Sequence, residues 1–174
     1  MNKKSKILAN SLIKRGLKYG DVVGISCPNS IEFALLYFGI ILAGGVCTTL
    51  NPLYTKNEIA HQLNDSKARF LFCHENFVNV AKKAILMTIV EELFVVGNSS
   101  NTISLGELLN GSEILSDMKV NPKKDTIVLP YSSGTTGTPK GVMLTHFNLV
   151  SNIYQHQSIE PFGINEILIG VLPF

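Results

Sequence analysis

Between Tyr131 and His146 the chain reads Y-S-S-G-T-T-G-T-P-K-G-V-M-L-T-H, a set of residue types suited to holding a polyphosphate. Gly134 and Gly137 tolerate left-handed backbone, so successive N–H groups can turn toward one centre. The hydroxyls of Ser132, Ser133, Thr135, Thr136 and Thr138 add rotatable donors. Lys140, stiffened by Pro139, places a compact positive charge at the end of the run. A bare turn needs one or two glycines and none of the rest. The Walker A spacing is excluded, because Lys140 follows proline and precedes Gly141 rather than serine or threonine. On either side, Asp125 to Tyr131 and Gly141 to Thr145 are short, apolar and partly β-branched. They predict a strand before and a strand after, with residues 132–138 as an exposed loop between two antiparallel strands and no helix opening at Lys140.

These sixteen residues resemble the signature of the AMP-forming acid:CoA ligase (adenylate-forming) superfamily, which includes acyl-CoA synthetases, coumarate–CoA ligases and firefly luciferase. The form L-P-Y-S-S-G-T-T-G-T-P-K-G-V-M-L-T-H is most similar to the coumarate–CoA-ligase-like and luciferase-like branch. Two further stretches, L-I-K-R-G-L-K-Y-G-D-V-V from Leu12 and N-P-L-Y-T-K-N-E-I-A-H-Q-L-N-D-S from Asn51, resemble the same family. The resemblance implies an α/β fold, part of the family's large N-terminal domain, with alternating strands and helices in layered sheets. On it, residues 1–174 form a partial N-terminal AMP-dependent synthetase/ligase domain, truncated at both ends and without the C-terminal domain.

In the reaction so implied, a carboxylate attacks the α-phosphorus of ATP, pyrophosphate leaves, and the acyl adenylate is taken by coenzyme A. Carried over by the resemblance, Ser132, Ser133, Gly134, Thr135, Thr136 and Lys140 contact the ATP phosphates, Lys140 is the catalytic cation, and Thr136 is a Mg²⁺ ligand. The implied partners are ATP, an aromatic or fatty carboxylic acid and coenzyme A, in an intracellular setting, cytoplasmic or peroxisomal. Family members are roughly three times this length. The metal carboxylate, the acid and adenine pockets and the adenylation lysine belong to later segments, so these residues alone are expected to be inactive. The alternative is a non-catalytic nucleotide-binding or interaction module that keeps the loop without the chemistry.

Composition bounds the remaining possibilities. At 174 residues, 45% hydrophobic and 16% charged, the chain has the length of about one domain and the balance of one with a sizeable core. A net charge of +2, with no basic patch interleaved with aromatics, argues against a nucleic-acid partner. Cys27, Cys47 and Cys73 are odd in number, sit in apolar contexts and lack C-x-x-C spacing, so they read as buried reduced thiols. No histidine pair stands at i,i+4, which argues against a zinc site.

The elements that must position the loop alternate. Ile7, Leu8, Leu12, Ile13 and Leu17 keep helical spacing in a basic opening stretch, which reads as an amphipathic helix ending near Gly16 rather than as a transit peptide. Asp21 to Cys27 predicts a buried strand, and Ser30 an N-cap for an apolar helix from Ile31 to about Ala43. That helix falls short of the roughly twenty residues a membrane span needs. Val46 to Leu50 predicts a strand, and Thr55-x-x-Glu58 a capping box for a helix through Asn64. Strands follow at Arg69 to Cys73 and Glu92 to Val96, and helices at Asn76 to about Met87 and Ser104 to Asn110. After His146, Leu149, Val150, Ile153 and Tyr154 keep helical spacing to about Gln157, and Glu166 to Phe174 predicts a core strand. Strands alternating with helices predict a parallel-type sheet covered by helices.

Overall fold

The computed structural model describes residues 2–113, 118–132, 139–160 and the single positions 163, 165 and 167. In chain order the elements are α1 (Asn2–Lys14), β1 (Val22–Ser26), α2 (Ile31–Leu42), β2 (Val46–Thr49), α3 (Lys56–Asp65), β3 (Ala68–His74), α4 (Val78–Ile85), β4 (Glu92–Val96) and β5 (Ile103–Ser104). They continue with α5 (Leu105–Leu108), β6 (Thr126–Val128), β7 (Tyr131–Ser132), β8 (Lys140–Gly141), β9 (Leu144–Thr145) and α6 (His146–Ile159). The strand expected from Glu166 to Phe174 lies outside the described residues, apart from Ile167.

Side chains alternate along β3. Phe70 and Phe72 enter one core, and Leu71 and Cys73 enter the other. Successive residues of a strand point to opposite faces, so the apolar run Phe70 to Cys73 must be covered on both sides. Helices α1, α2 and α5 cover the phenylalanine side, and α3 and α4 cover the other. The resulting sheet has the order β5-β4-β3-β1-β2-β6-β9. All its pairings are parallel except that of β6 with β9.

Local chemistry sets the helix ends. Ser30 Oγ accepts from the Phe33 N–H at 3.1 Å, and Thr55 and Glu58 form the expected box, with the Thr55 N–H donating to Glu58 Oε2 at 2.8 Å. Gly16 has φ +90°, the left-handed conformation that ends α1. Gly39 has a second reason to be glycine: a Cβ there would lie 2.5 Å from Leu8 Cδ2, so α1 rests directly on the α2 backbone.

Two expectations need correction. The helix read from Asn76 to Met87 begins instead as a 3₁₀ turn, Glu75–Phe77, with His74 Nδ1 accepting from the Asn76 N–H, and α4 ends at Ile85. The helix read from Ser104 to Asn110 is the single turn α5, capped by Ser104 and Glu107. Ile103 and Ser104 themselves pair with β4 as β5, a strand too short to show a period. The helix expected after His146 is present as α6, and it buries none of its residues: Ile153 is 65% and Tyr154 71% exposed.

All three cysteines are free and buried, and burial pushes their thiols up, that of Cys73 to about 12. Burial also pushes the Tyr37 phenol up to about 12. Each group ionises more readily unfolded than folded, so its contribution is complete below the unfolded pKa and is lost as pH rises toward the folded one. Stability measured by urea unfolding is therefore expected to hold to about pH 8.5 and to fall steadily toward pH 12. Cys73→Ser and Tyr37→Phe should each flatten that fall. A chain equally stable at pH 8 and pH 11 would contradict this.

Candidate phosphate-binding ribbon

The run Asp125 to Tyr131 does not stay in one strand. Its first part, β6, lies beside β2, and the Leu129 N–H still donates to Cys47 O at 2.9 Å. Pro130 then has no N–H to continue the ladder, and the chain leaves the sheet as β7. The returning run divides likewise. β8 pairs antiparallel with β7, Tyr131 opposite Gly141 and Ser132 opposite Lys140, and the Val142 N–H donates to Pro130 O at 2.8 Å. Beyond it, β9 pairs antiparallel with β6 at the edge of the main sheet. Thr145 and Asn148 then cap α6. The expected strand–loop–strand unit is thus two pairings, with a two-stranded ribbon standing off a seven-stranded sheet.

Of the site residues expected from sequence, Ser132 lies in β7 and Lys140 in β8, both exposed and facing one another across the ribbon. Ser133, Gly134, Thr135 and Thr136 lie outside the described residues. No helix begins at Lys140. Among the described residues the ion pairs are Arg15–Glu92 at 3.1 Å, Arg69–Asp21, and Arg69–Glu91 at 2.6 Å, and none involves Lys140. Its ammonium therefore has no carboxylate partner among them. Gly141 permits close packing: a Cβ there would lie 3.1 Å from both Tyr131 Cζ and Leu129 Cδ1.

Helix α3 holds the root of the ribbon through residues that sequence reading missed. Gln62 Nε2 donates to Thr48 Oγ1 and to Thr49 O, both at 2.9 Å, and Thr48 Oγ1 donates to Leu129 O at 2.8 Å. Gln62 is 3% and Thr48 0% exposed, so this chain is dry and its donors are matched. The sequence signalled little of this: Thr48 and Thr49 interrupt the apolar run Val46 to Leu50, and Gln62 is one of several polar residues in α3. Further along, the Tyr131 hydroxyl donates to the Asp65 carboxylate. Burial first, and then this hydrogen bond, push the Tyr131 phenol above its ordinary value.

Tyr131 also borders a cleft of about 460 Å³ at the carboxyl ends of β1 and β2, lined by Cys27, Phe33, Leu50, Tyr54 and Gln62 among others. In an open parallel sheet this is the end where ligands gather, between strands whose connections leave to opposite faces. His146, the last residue of the signature, sits at the other end. It lines a cleft of about 600 Å³ at the amino ends of the strands, near Asp125, which accepts from the Tyr19 hydroxyl. The two ends of one sequence motif therefore face different surfaces.

The family model described as AMP-binding enzyme matches residues 1–174. The chain belongs to the AMP-binding enzyme family. This AMP-binding chain is 36% identical to the 4-coumarate–CoA ligase 4 of Arabidopsis thaliana over 95% of its own length and 31% of that protein. A long-chain-fatty-acid–CoA ligase structure from Archaeoglobus fulgidus superposes with a TM-score of 0.91 at 37% identity, covering 98% of this chain and 34% of that one. ATP-bound MatB from Rhodopseudomonas palustris superposes with a TM-score of 0.75 at 30% identity, covering 89% and 30%. The chain thus spans about a third of the length of the relatives it matches. Its sheet and helices have the fold of the corresponding part of the Archaeoglobus ligase. Among the described residues no helix is long and apolar enough to cross a membrane.

Proposed function

We propose that this AMP-binding chain belongs to an acid–CoA ligase that activates a carboxylic acid with ATP, forms an acyl adenylate and pyrophosphate, and passes the acyl group to coenzyme A with release of AMP. The observation that carries the proposal is the antiparallel ribbon that sets exposed Ser132 opposite exposed Lys140, the latter with no carboxylate partner among the described residues, in a chain of this family. Negative charge grows on the β- and γ-phosphates as the acid attacks. A lysine and a row of fixed donors stabilise that charge without reorganising. In these roles we place Ser132, Ser133, Gly134, Thr135, Thr136 and Lys140, with Lys140 on the departing pyrophosphate. The ATP-bound relative supports the choice of nucleotide.

Among the described residues no group of three or more histidines, cysteines, aspartates or glutamates could hold a metal. In this chain the Mg²⁺ proposal rests on the Thr136 hydroxyl alone. When bound, the metal would neutralise phosphate charge. The named relatives point to an aromatic or a fatty acid, and both stay within the proposal. So does an intracellular setting, cytoplasmic or peroxisomal. No observation favours a non-catalytic nucleotide-binding module.

The test is acid-dependent release of AMP and pyrophosphate, with thioester formation, from the natural protein containing these residues at its full length. It should be supplied with ATP, Mg²⁺, coenzyme A and a panel of aromatic and fatty acids. Residues 1–174 alone are expected to release no AMP above a Lys140→Ala control. Positioning supplies on the order of 7 to 11 kcal/mol of barrier reduction, and phosphate contacts by themselves do not position an acid. Silence from the full-length protein across the panel would sink the proposal.

A further inference from the structure

The β7–β8 ribbon needs an external support. Among the described residues each strand spans two positions, and the ribbon pairs with neither β6 nor β9. A two-stranded hairpin of that size is marginal by itself. Covalently it hangs from Pro130 on one side and from Val142 and Met143 on the other. Among the described residues, α3 meets it across the fold. Tyr131 of β7 and Pro139, next to β8, line one cleft with Glu58, His61 and Gln62. At the far end of the same helix Asp65 accepts the Tyr131 hydroxyl.

We infer that Asp65 is a positioning residue: by holding the Tyr131 hydroxyl it sets where the ribbon, and with it Ser132 and Lys140, stands relative to the sheet. The inference rests on the ribbon being the phosphate site proposed above. Asp65 is suited to the task because its own place is fixed. Helix α3 is boxed at its start by Thr55 and Glu58 and anchored by Ile59 and Leu63, 1% and 0% exposed. The Tyr131 ring in turn lies against Gly141, beside Lys140 in the opposite strand, so a displaced ring displaces the lysine's strand. The buried Gln62–Thr48–Leu129 chain fixes the point from which the ribbon departs, and the Asp65 contact fixes its direction. Asp65 is itself exposed and Tyr131 is only partly buried, so removing the carboxylate strands no fully buried group. Its effect on the ribbon is thereby separable from an effect on folding.

The experiment uses the natural protein at full length with Asp65→Ala, Asp65→Asn, Tyr131→Phe and the Asp65→Ala/Tyr131→Phe pair. Asparagine keeps an acceptor oxygen for the tyrosine. Three quantities are read: acyl-adenylate formation from ATP, transfer to coenzyme A from a supplied acyl adenylate, and hydrogen exchange at the Val142 amide, which bonds to Pro130 O. Asp65→Ala and Tyr131→Phe should each slow adenylate formation by about tenfold or more, since small misplacements near a reacting group are costly. Transfer should stay within about twofold, and the pair should be no slower than either single change, as expected for two groups sharing one contact. Asp65→Asn should recover most of the rate, and the Val142 amide should exchange faster in Asp65→Ala. An unchanged adenylation rate in Asp65→Ala, or equal losses in both half-reactions, overturns the inference. If the unaltered protein forms no adenylate, the proposed function fails, and the Val142 amide then decides the tether alone: faster exchange in Asp65→Ala upholds it, and unchanged exchange overturns it.

Discussion

Alanine in place of Lys140 is expected to lower acyl-adenylate formation in the full-length protein by about two to three orders of magnitude, on the order of 3 to 4 kcal/mol. Transfer from a supplied acyl adenylate to coenzyme A should change by no more than a few-fold. The asymmetry follows from where charge develops. In the proposed reaction pyrophosphate departs in the first half and is absent from the second, so a cation serving pyrophosphate matters only to the first. The structure makes Lys140 available for this: β8 holds it opposite Ser132, exposed, and no ion pair among the described residues occupies it. Pyrophosphate release and thioester formation, measured separately on the same variant, check the split. Losses of equal size in both would make Lys140 a structural residue.

The largest loss of stability is expected at Phe94. Its side chain is 0% exposed, stacks edge-on to Phe70 with centroids 5.6 Å apart, and lies tilted against Phe72 at 4.8 Å. The Arg15 guanidinium caps the ring at 5.6 Å. Phe94→Ala removes all of these contacts and leaves a cavity between β4, an interior strand, and the face covered by α1, α2 and α5, where the main chain is held in register by β3. Losses for such truncations run about 3 to 5 kcal/mol, against a total stability of roughly 5 to 15 kcal/mol for a domain. The urea midpoint should fall steeply with little change in slope. A loss below about 1 kcal/mol would mean that the aromatic cluster is not the centre of this core.

Much of the fold was legible because its determinants are local. Ser30 reaches the amide three residues ahead, Thr55 and Glu58 satisfy one another, and the apolar runs of β1, β3 and β4 show their character within a handful of residues. The proposed phosphate site could be named from sequence for the same reason, because its glycines, hydroxyls and lysine form one continuous string. The helix after His146 was legible for its existence but not its environment. Periodicity tells which residues share a face, and says nothing of what covers it; Ile153 at 65% exposure makes the difference plain.

The sequence by itself therefore determined the alternation of strands and helices, the caps, the inert thiols and the candidate ATP residues. These depend on backbone conformation and side-chain chemistry within a few positions. Tertiary structure alone decided that the run around Pro130 splits between a sheet edge and a separate ribbon, and that His146 faces the opposite end from Tyr131. It also decided that Asp65, 66 residues before Tyr131 in the chain, lies against it. Such contacts follow from strand order, which places β6 beside β2 and so brings its exit under α3. Strand order is settled by how both faces of the whole sheet are buried at once, a condition that no short stretch of sequence contains.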